Sequence, residues 1–181
     1  KLCRYDMEPL AALHELRFKL VEEGHTLPEH KPGIESLGKL GNMLNKPKAK
    51  RGDWAEGLEA NDLSKAKAEV LFHAGCRYSY DSDLSHVAQT SVKILQDAGV
   101  DFGIMGKNEP CCGGRAYHMG YKAQHREAAE HTIEAWSQAG VKTVITPCAD
   151  CYHTFKRLYP LAGSKVEVLH MVEFVDRLIR E

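Results

Sequence analysis

Five cysteines follow a regular spacing from residue 76 onwards: Cys76, Cys111, Cys112, Cys148 and Cys151. The first is separated from the adjacent pair by 34 residues, and that pair is separated from Cys148 by 35 residues. Two nearly equal gaps indicate that each cysteine group ends a similar structural unit. Because adjacent side chains do not easily serve one small tetrahedral metal site, the pattern favours a redox cluster of iron and sulfur.

Composition and charge narrow the class of protein. The chain has 181 residues, 43% hydrophobic and 27% charged, with a formal net charge of −1. This is an ordinary soluble composition, and it gives no indication of a nucleic-acid scaffold or an electrostatic membrane anchor. The sequence contains no apolar run near the ~20 residues that span a bilayer and no secretory layout at its start. We therefore expect a cytoplasmic protein whose thiols serve metal or catalysis rather than disulfides.

The composition changes near residue 66, which divides the chain into two predicted parts. Residues 1–65 are polar and are expected to form a mostly helical arm or linker, with helices over 6–23 and 28–45. The lysine-rich run 46–52 is expected to be a solvated linker. Since the sequence begins with Lys1 rather than Met, we expect a processed or excised piece of a longer protein.

Residues 66–181 alternate short apolar runs with longer helical patterns. Strands are predicted at 70–72, 102–105, 144–146 and 166–169. Helices are predicted at 82–98, 117–139, 150–158 and 171–179. Strands that alternate with helices indicate crossover connections, so we predict an α/β domain with a parallel four-stranded sheet flanked by helices.

The cysteines occupy equivalent places in this predicted fold. Cys76 follows the first strand, Cys111 and Cys112 follow the second, and Cys148 follows the third. The carboxyl ends of parallel strands lie at one edge of the sheet, where open α/β sheets gather their ligand sites. We therefore expect the distant thiols to meet there.

Three glycines beside the cysteines, Gly75, Gly113 and Gly114, allow close approach of the backbone and positive φ angles. The Cys148–Cys151 pair is placed at a predicted helix start, where amides favour thiolate. A structural zinc site remains the alternative, because four thiolates can close one tetrahedral site. In that case the chain would be a non-catalytic interaction module stabilised by zinc or by a cubane cluster.

The arrangement Cys76, Cys111-Cys112-Gly113 and Cys148-x-x-Cys151 resembles the cysteine-rich CCG domain of heterodisulfide reductases. That family includes their B and D subunits and iron–sulfur subunits of glycolate oxidase, anaerobic glycerol-3-phosphate dehydrogenase and lactate-utilisation proteins. The resemblance covers roughly residues 68–181 and is nearest to a D-like subunit of an anaerobe.

The resemblance implies a noncubane [4Fe-4S] cluster held by all five cysteines. It implies an oxidoreductase subunit that exchanges electrons with a disulfide or thiol, or with ferredoxin-type, flavoprotein or membrane cytochrome and quinone subunits. Through such partners the chain would lie peripherally on the inner membrane. Family members usually carry two such domains, whereas one is present here, so a role limited to electron transfer is also implied.

Two residues outside the five complete the candidate site. Cys3 is similar to the last thiolate of a ferredoxin-type domain that precedes such arms, which makes it a candidate ligand of an upstream cluster. A free thiol near a frayed end is the alternative for Cys3. Arg115 is a candidate for balancing the negative charge of a cluster, because it directly follows the glycines.

Overall fold

A computed structural model describes residues 8–159 and 166–180, so the candidate ligand Cys3 lies outside the described residues. The strands are β1 Asn61–Asp62, β2 Val70–Phe72, β3 Gly103–Ile104, β4 Thr143–Thr146 and β5 Glu167–His170. The α-helices are α1 Pro9–Glu22, α2 Lys31–Leu40, α3 Gly75–Tyr80, α4 Ser85–Asp97, α5 Gly114–His118, α6 Lys122–Ala139, α7 Ala149–His153 and α8 Met171–Arg180. A π-helical turn, Thr154–Leu158, extends α7, and 3₁₀ turns occupy Pro28–His30, Lys48–Ala55 and Gly106–Asn108.

The strands form one parallel sheet in the order β1-β3-β2-β4-β5. This confirms the predicted α/β class and adds a fifth strand at one edge. The added strand β1 has two residues and pairs with β3, which makes it too short to produce an apolar period in the sequence. After β2 the chain moves to one side of that strand to form β3, and it then crosses to the other side to form β4.

Apolar side chains fill both faces of the sheet. Leu71, Val144 and Val168 pack on one face against Trp136 of α6 and Phe155. The neighbouring positions point to the opposite face, as the two-residue period of a strand requires. There Phe72 and Ile145 pack with Val92 of α4 and Met171 of α8. Helices therefore cover both faces, which is the layering that the sequence predicted.

The prediction of one continuous helix over residues 117–139 is wrong. The structure divides this region between α5 and α6. Gly120 lies at the break with φ +97°, where a Cβ atom would come within 2.7 Å of the Arg17 carbonyl oxygen. The Arg17 side chain in turn donates a hydrogen bond to the His118 carbonyl oxygen at 3.0 Å. Packing of the arm against this turn thus sets the position of the break.

Helix α1 presents two different sides. His14 and Phe18 are buried against the rest of the chain, next to the ring of Tyr117. The leucines that give α1 its helical period are exposed on the surface: Leu10, Leu13, Leu16 and Leu20. The buried side of α1 is therefore aromatic rather than aliphatic.

Within residues 8–159 and 166–180, no helix combines the length and the apolar composition that crossing a membrane would require.

The sheet core should dominate the free energy of unfolding. Leu71 is fully buried at the centre of the sheet, so Leu71→Ala is expected to lower that free energy by about 2–5 kcal/mol, through lost burial and the cavity left behind. Leu10 is 63% exposed, so Leu10→Ala is expected to change it by no more than about 0.5 kcal/mol. Urea unfolding of both variants measures this difference, and equal losses would contradict the packing described.

Candidate metal centre

The five thiols lie together at the carboxyl edge of the sheet, and all five are free. Cys76 lies in the first turn of α3 after β2, Cys111 and Cys112 precede α5 after β3, and Cys148 and Cys151 begin α7 after β4. The reversal of strand order falls between β2 and β4. Open α/β sheets bind ligands at such a switch point, since the connections diverge there and leave a crevice.

Contacts join the thiols into one series. Cys76 contacts Cys111, which contacts its neighbour Cys112. Cys112 also contacts Cys151, which contacts Cys148. We call this series the thiol row. Sulfur atoms that are up to 75 residues apart in sequence are thus neighbours, as expected from their places after successive strands.

The thiol row supplies sulfur as its metal-binding atom. Among the described residues, no group of three or more His, Cys, Asp or Glu side chains is placed to hold one metal ion. A structural zinc site needs four ligands around one centre. Five soft sulfur donors suit a cluster of several metal atoms, which offers more than one centre to its ligands.

Neighbouring thiols shift the pKa of one another in opposite directions. The thiols of Cys111 and Cys151 and the Gly114 amide donate to Cys112, which lowers the pKa of Cys112 to about 5. The thiol of Cys151 and the first amides of α7 likewise lower the pKa of Cys148 to about 7.

The donor thiols show the opposite shift. Donation to Cys112 and burial raise the pKa of Cys111 to about 12, and donation to Cys111 together with burial raises the pKa of Cys76. The pKa of Cys151 is also raised, because its thiol donates to Cys112 and Cys148. Thiolate is the form that binds metal.

Gly75 provides space for the thiol row. Its φ is +81°, and a Cβ atom at this position would lie 2.9 Å from the Cys151 sulfur. That separation is too short for any real side chain, and the positive φ would add backbone strain. A residue with a side chain here would therefore displace the Cys151 thiol.

Gly113 and Gly114 allow α5 to begin close to the row. Gly113 has φ +70°, and its missing Cβ would lie 2.8 Å from the Ala128 side chain. A Cβ on Gly114 would overlap the Thr154 hydroxyl and would lie 3.6 Å from the Cys112 sulfur. The backbone after the cysteine pair thus lies directly against neighbouring elements, which leaves no room for larger residues.

A buried ion pair adjoins the thiol row. The Arg51 guanidinium is 1% exposed, and it donates hydrogen bonds to the Cys76 sulfur at 3.2 Å and to the Glu109 carboxylate at 2.9 Å. Burial opposes the charge of Arg51, but the pKa of Arg51 is raised overall by Cys76 and Cys111 in their thiolate forms and by the Glu109 carboxylate, which all favour the charged guanidinium. Removing one member of such a pair typically costs about 3–5 kcal/mol, since the other charge stays buried.

Sequence reasoning missed Arg51. The prediction that run 46–52 is a solvated linker is wrong for this residue, which a 3₁₀ turn directs into the interior. Arg115, the cation chosen from the sequence, is exposed on α5. Proximity to the cysteines in sequence favoured Arg115, while Arg51 is brought to Cys76 from 25 residues away. The single arginine in an otherwise lysine-rich run was the available signal.

Three further side chains complete the surroundings of the thiol row. The Tyr159 hydroxyl donates a hydrogen bond to the Cys112 carbonyl oxygen at 3.0 Å. The His125 ring lies 3.2 Å from the Gly113 carbonyl oxygen. His73 is fully buried, with its ring edge-on to Phe155 and both ring nitrogens without a hydrogen-bond partner. The Tyr159 and His125 contacts fix the backbone at and after the cysteine pair.

A cavity of about 330 Å³ leads to the thiol row from the surface. Cys111 and Arg51 lie in its wall, and exposed Lys39 and Lys48 also line it. Exposed Glu127 lines it as well, so the approach to this end of the row carries charges of both signs.

Known proteins resemble this chain over the same region. Residues 70–156 match the family model described as a cysteine-rich domain, CCG. The chain is 34% identical over 113 residues to the EtfAB:quinone oxidoreductase of Syntrophomonas wolfei, a match that covers 62% of this chain and 16% of that protein. No protein of solved structure matches the chain significantly.

Two other relatives match nearly the whole chain. The probable iron-sulfur-binding oxidoreductase FadF of Bacillus subtilis is 27% identical over 172 residues, which cover 91% of this chain and 24% of FadF. The D subunit of the dihydromethanophenazine:CoB–CoM heterodisulfide reductase of Methanosarcina mazei is 29% identical over 188 residues, which cover 99% of this chain and 44% of that protein. The chain thus spans less than half the length of each of these curated relatives.

The buried His73 ring should make stability depend on pH. Burial lowers the pKa of His73 to about 4, whereas a histidine in an unfolded chain has a pKa of about 6.5. Between these values the unfolded chain binds the extra proton, so acidification from pH 6.5 to pH 4 is expected to remove about 3 kcal/mol of stability.

Replacing His73 tests this dependence. The free energy of unfolding of His73→Leu should fall less than that of the wild type between pH 6.5 and pH 4. At pH 7 the variant should be near wild-type stability, since the neutral ring makes no hydrogen bond and its Nδ1 lies 3.8 Å from the Glu109 carboxylate. The same substitution at exposed His86 controls for removal of an imidazole. Urea unfolding at several pH values gives the comparison. An unchanged pH profile for His73→Leu would show that His73 does not carry the effect.

Proposed function

Because residues 70–156 are a cysteine-rich domain of the CCG type, we propose that this chain is an iron–sulfur component of a larger oxidoreductase. The observation that carries the proposal is the thiol row, in which sulfur atoms from three loops meet at the switch point of the sheet. The names of two relatives, an iron-sulfur-binding oxidoreductase and a heterodisulfide reductase component, support it.

Five cysteines are proposed as cluster ligands: Cys76, Cys111, Cys112, Cys148 and Cys151. A cubane [4Fe-4S] cluster uses four thiolates, so a fifth thiolate at the same site favours a noncubane [4Fe-4S] cluster. When bound, such a cluster accepts and releases electrons. Gly75 and Gly114 would leave the space beside Cys151 and Cys112 that the cluster needs.

The two parts of the chain have different proposed tasks. Residues 66–181 supply the ligands. The arm, residues 1–65, would supply the Arg51 charge, and its described part, from residue 8 onwards, packs against Cys76 and Cys111. The cavity at Cys111 would admit a thiol or disulfide, and its lysines would attract one that carries negative charge.

The remaining components are proposed from the relatives. One relative is named an EtfAB:quinone oxidoreductase, and another is named a subunit of a heterodisulfide reductase. We therefore place this chain in a complex with ferredoxin-type, flavoprotein or membrane cytochrome and quinone subunits, in which it would lie peripherally at the membrane. Within that complex, the chain would transfer electrons to or from a disulfide or a quinone-linked partner.

Metal analysis of protein prepared without oxygen tests the cluster. We expect brown protein with about four iron and about four acid-labile sulfide per chain. Colourless protein with about one zinc per chain would instead support the non-catalytic interaction module.

Single substitutions test the ligand set. Cys111→Ser and Cys112→Ser are each expected to lower the iron content and to alter the visible spectrum. Ser137→Ala is the control, because it changes an exposed polar side chain outside the proposed ligand set. If either substitution in the adjacent pair left iron and spectrum intact, that cysteine would not be a ligand.

Gly75→Ala tests the space beside Cys151. Gly99 shares the positive φ, at +67°, but a Cβ atom there would meet nothing within 4 Å. Both alanine variants carry backbone strain of about 1–2 kcal/mol, and only Gly75→Ala also displaces a thiol. We expect Gly75→Ala to bind less iron and Gly99→Ala to match the wild type. Equal iron content in the two variants would contradict a site shaped by Gly75.

A further inference from the structure

The Arg51 guanidinium joins the arm to the thiol row. Besides the Cys76 sulfur and the Glu109 carboxylate, it donates hydrogen bonds to the Gly41 carbonyl oxygen at 3.3 Å and to the Pro110 carbonyl oxygen at 3.2 Å. At 1% exposure its charge is not screened by water. A full positive charge is therefore fixed against one end of the thiol row.

The Glu109 carboxylate holds the turn that carries Cys76. It is 4% exposed, and it accepts hydrogen bonds from the backbone amides of Ala74 and Gly75, each at 2.9 Å. These two amides immediately precede Cys76. Glu109 thus places a negative charge beside the row and also fixes the backbone that positions the first thiol.

We propose that Arg51 and Glu109 are positioning residues that set the reduction potential of the bound cluster in opposite directions. This assignment rests on the proposed function. Reduction adds negative charge to a cluster, so a buried positive charge in contact with Cys76 stabilises the reduced form. A buried carboxylate destabilises it, and the low dielectric of the interior makes both effects large.

Shifts of the reduction potential in opposite directions distinguish this role from a merely structural one. Arg51→Gln removes one positive charge, while Glu109→Gln removes one negative charge and keeps nearly the same shape. The double variant has the same summed charge at this pair as the wild type. Loss of packing alone would instead shift the potential of both single variants in the same direction, or would lower the iron content without a signed shift.

The experiment measures the midpoint potential of the loaded full chain by redox titration of its visible spectrum, with iron content and circular dichroism on each sample. We expect Arg51→Gln to lower the equilibrium constant for reduction at least tenfold, which is about 59 mV more negative for one electron. Glu109→Gln should raise this constant at least tenfold. The double variant should lie within threefold of the wild type.

Two further variants complete the set. Arg51→Lys keeps the charge and should stay within threefold of the wild-type constant. Arg115→Gln removes an exposed arginine from the first turn of α5, and it should also change the constant less than threefold, because water screens that charge. A shift at Arg115→Gln as large as that at Arg51→Gln would overturn the assignment.

The outcomes separate this inference from the proposed function. A wild-type chain that takes up no iron would overturn the proposed function and the inference with it. A wild-type chain that loads, with single variants that shift in the same direction or not at all, would overturn only the assignment of Arg51 and Glu109. If Arg51→Gln failed to fold, Glu109→Gln and the double variant would still decide. A more positive midpoint potential for Glu109→Gln that returns to the wild-type value in the double variant supports the assignment. If Glu109→Gln shows no positive shift, or if the double variant does not reverse it, the assignment is overturned.

Discussion

The site depends on parallel strands whose carboxyl ends share one edge of the sheet. The connections after β2 and β4 diverge at that edge because the strand order reverses between them. Each of the loops that follow β2, β3 and β4 brings its cysteines to this crevice by a short path. The thiol row is therefore a consequence of topology, because the sequence places cysteines in the loops and first helical turns that follow three strands.

Buried charge gives this edge of the sheet its chemical character. A guanidinium in contact with a thiol, and a carboxylate that binds two amides, would each be costly to bury alone. Together they compensate each other and satisfy the backbone next to Cys76. Arg51 comes from the arm, so the arm completes the environment of the site as well as covering it.

The parallel sheet and the convergence of the cysteines could be predicted from the sequence, because both depend on local patterns. Short apolar runs marked β2 and β4, and the cysteine spacing then implied convergence. Sequence reasoning failed where distant packing decides: the break at Gly120 depends on the arm, and β1 is too short to show a period. Arg51 was missed because its burial depends on contacts with Cys76 and Glu109, which are distant in sequence. A single arginine among lysines was the local signal that was available. The roles of the five cysteines as ligands remain predictions.

The central claim is that five thiolates from three loops bind one iron–sulfur cluster. Anomalous diffraction at the iron absorption edge, from crystals grown without oxygen, tests it most directly. The account predicts one compact group of iron atoms in contact with the sulfur atoms of Cys76, Cys111, Cys112, Cys148 and Cys151. Iron bound without Cys76, or a lone zinc ion among four of these sulfurs, would contradict it.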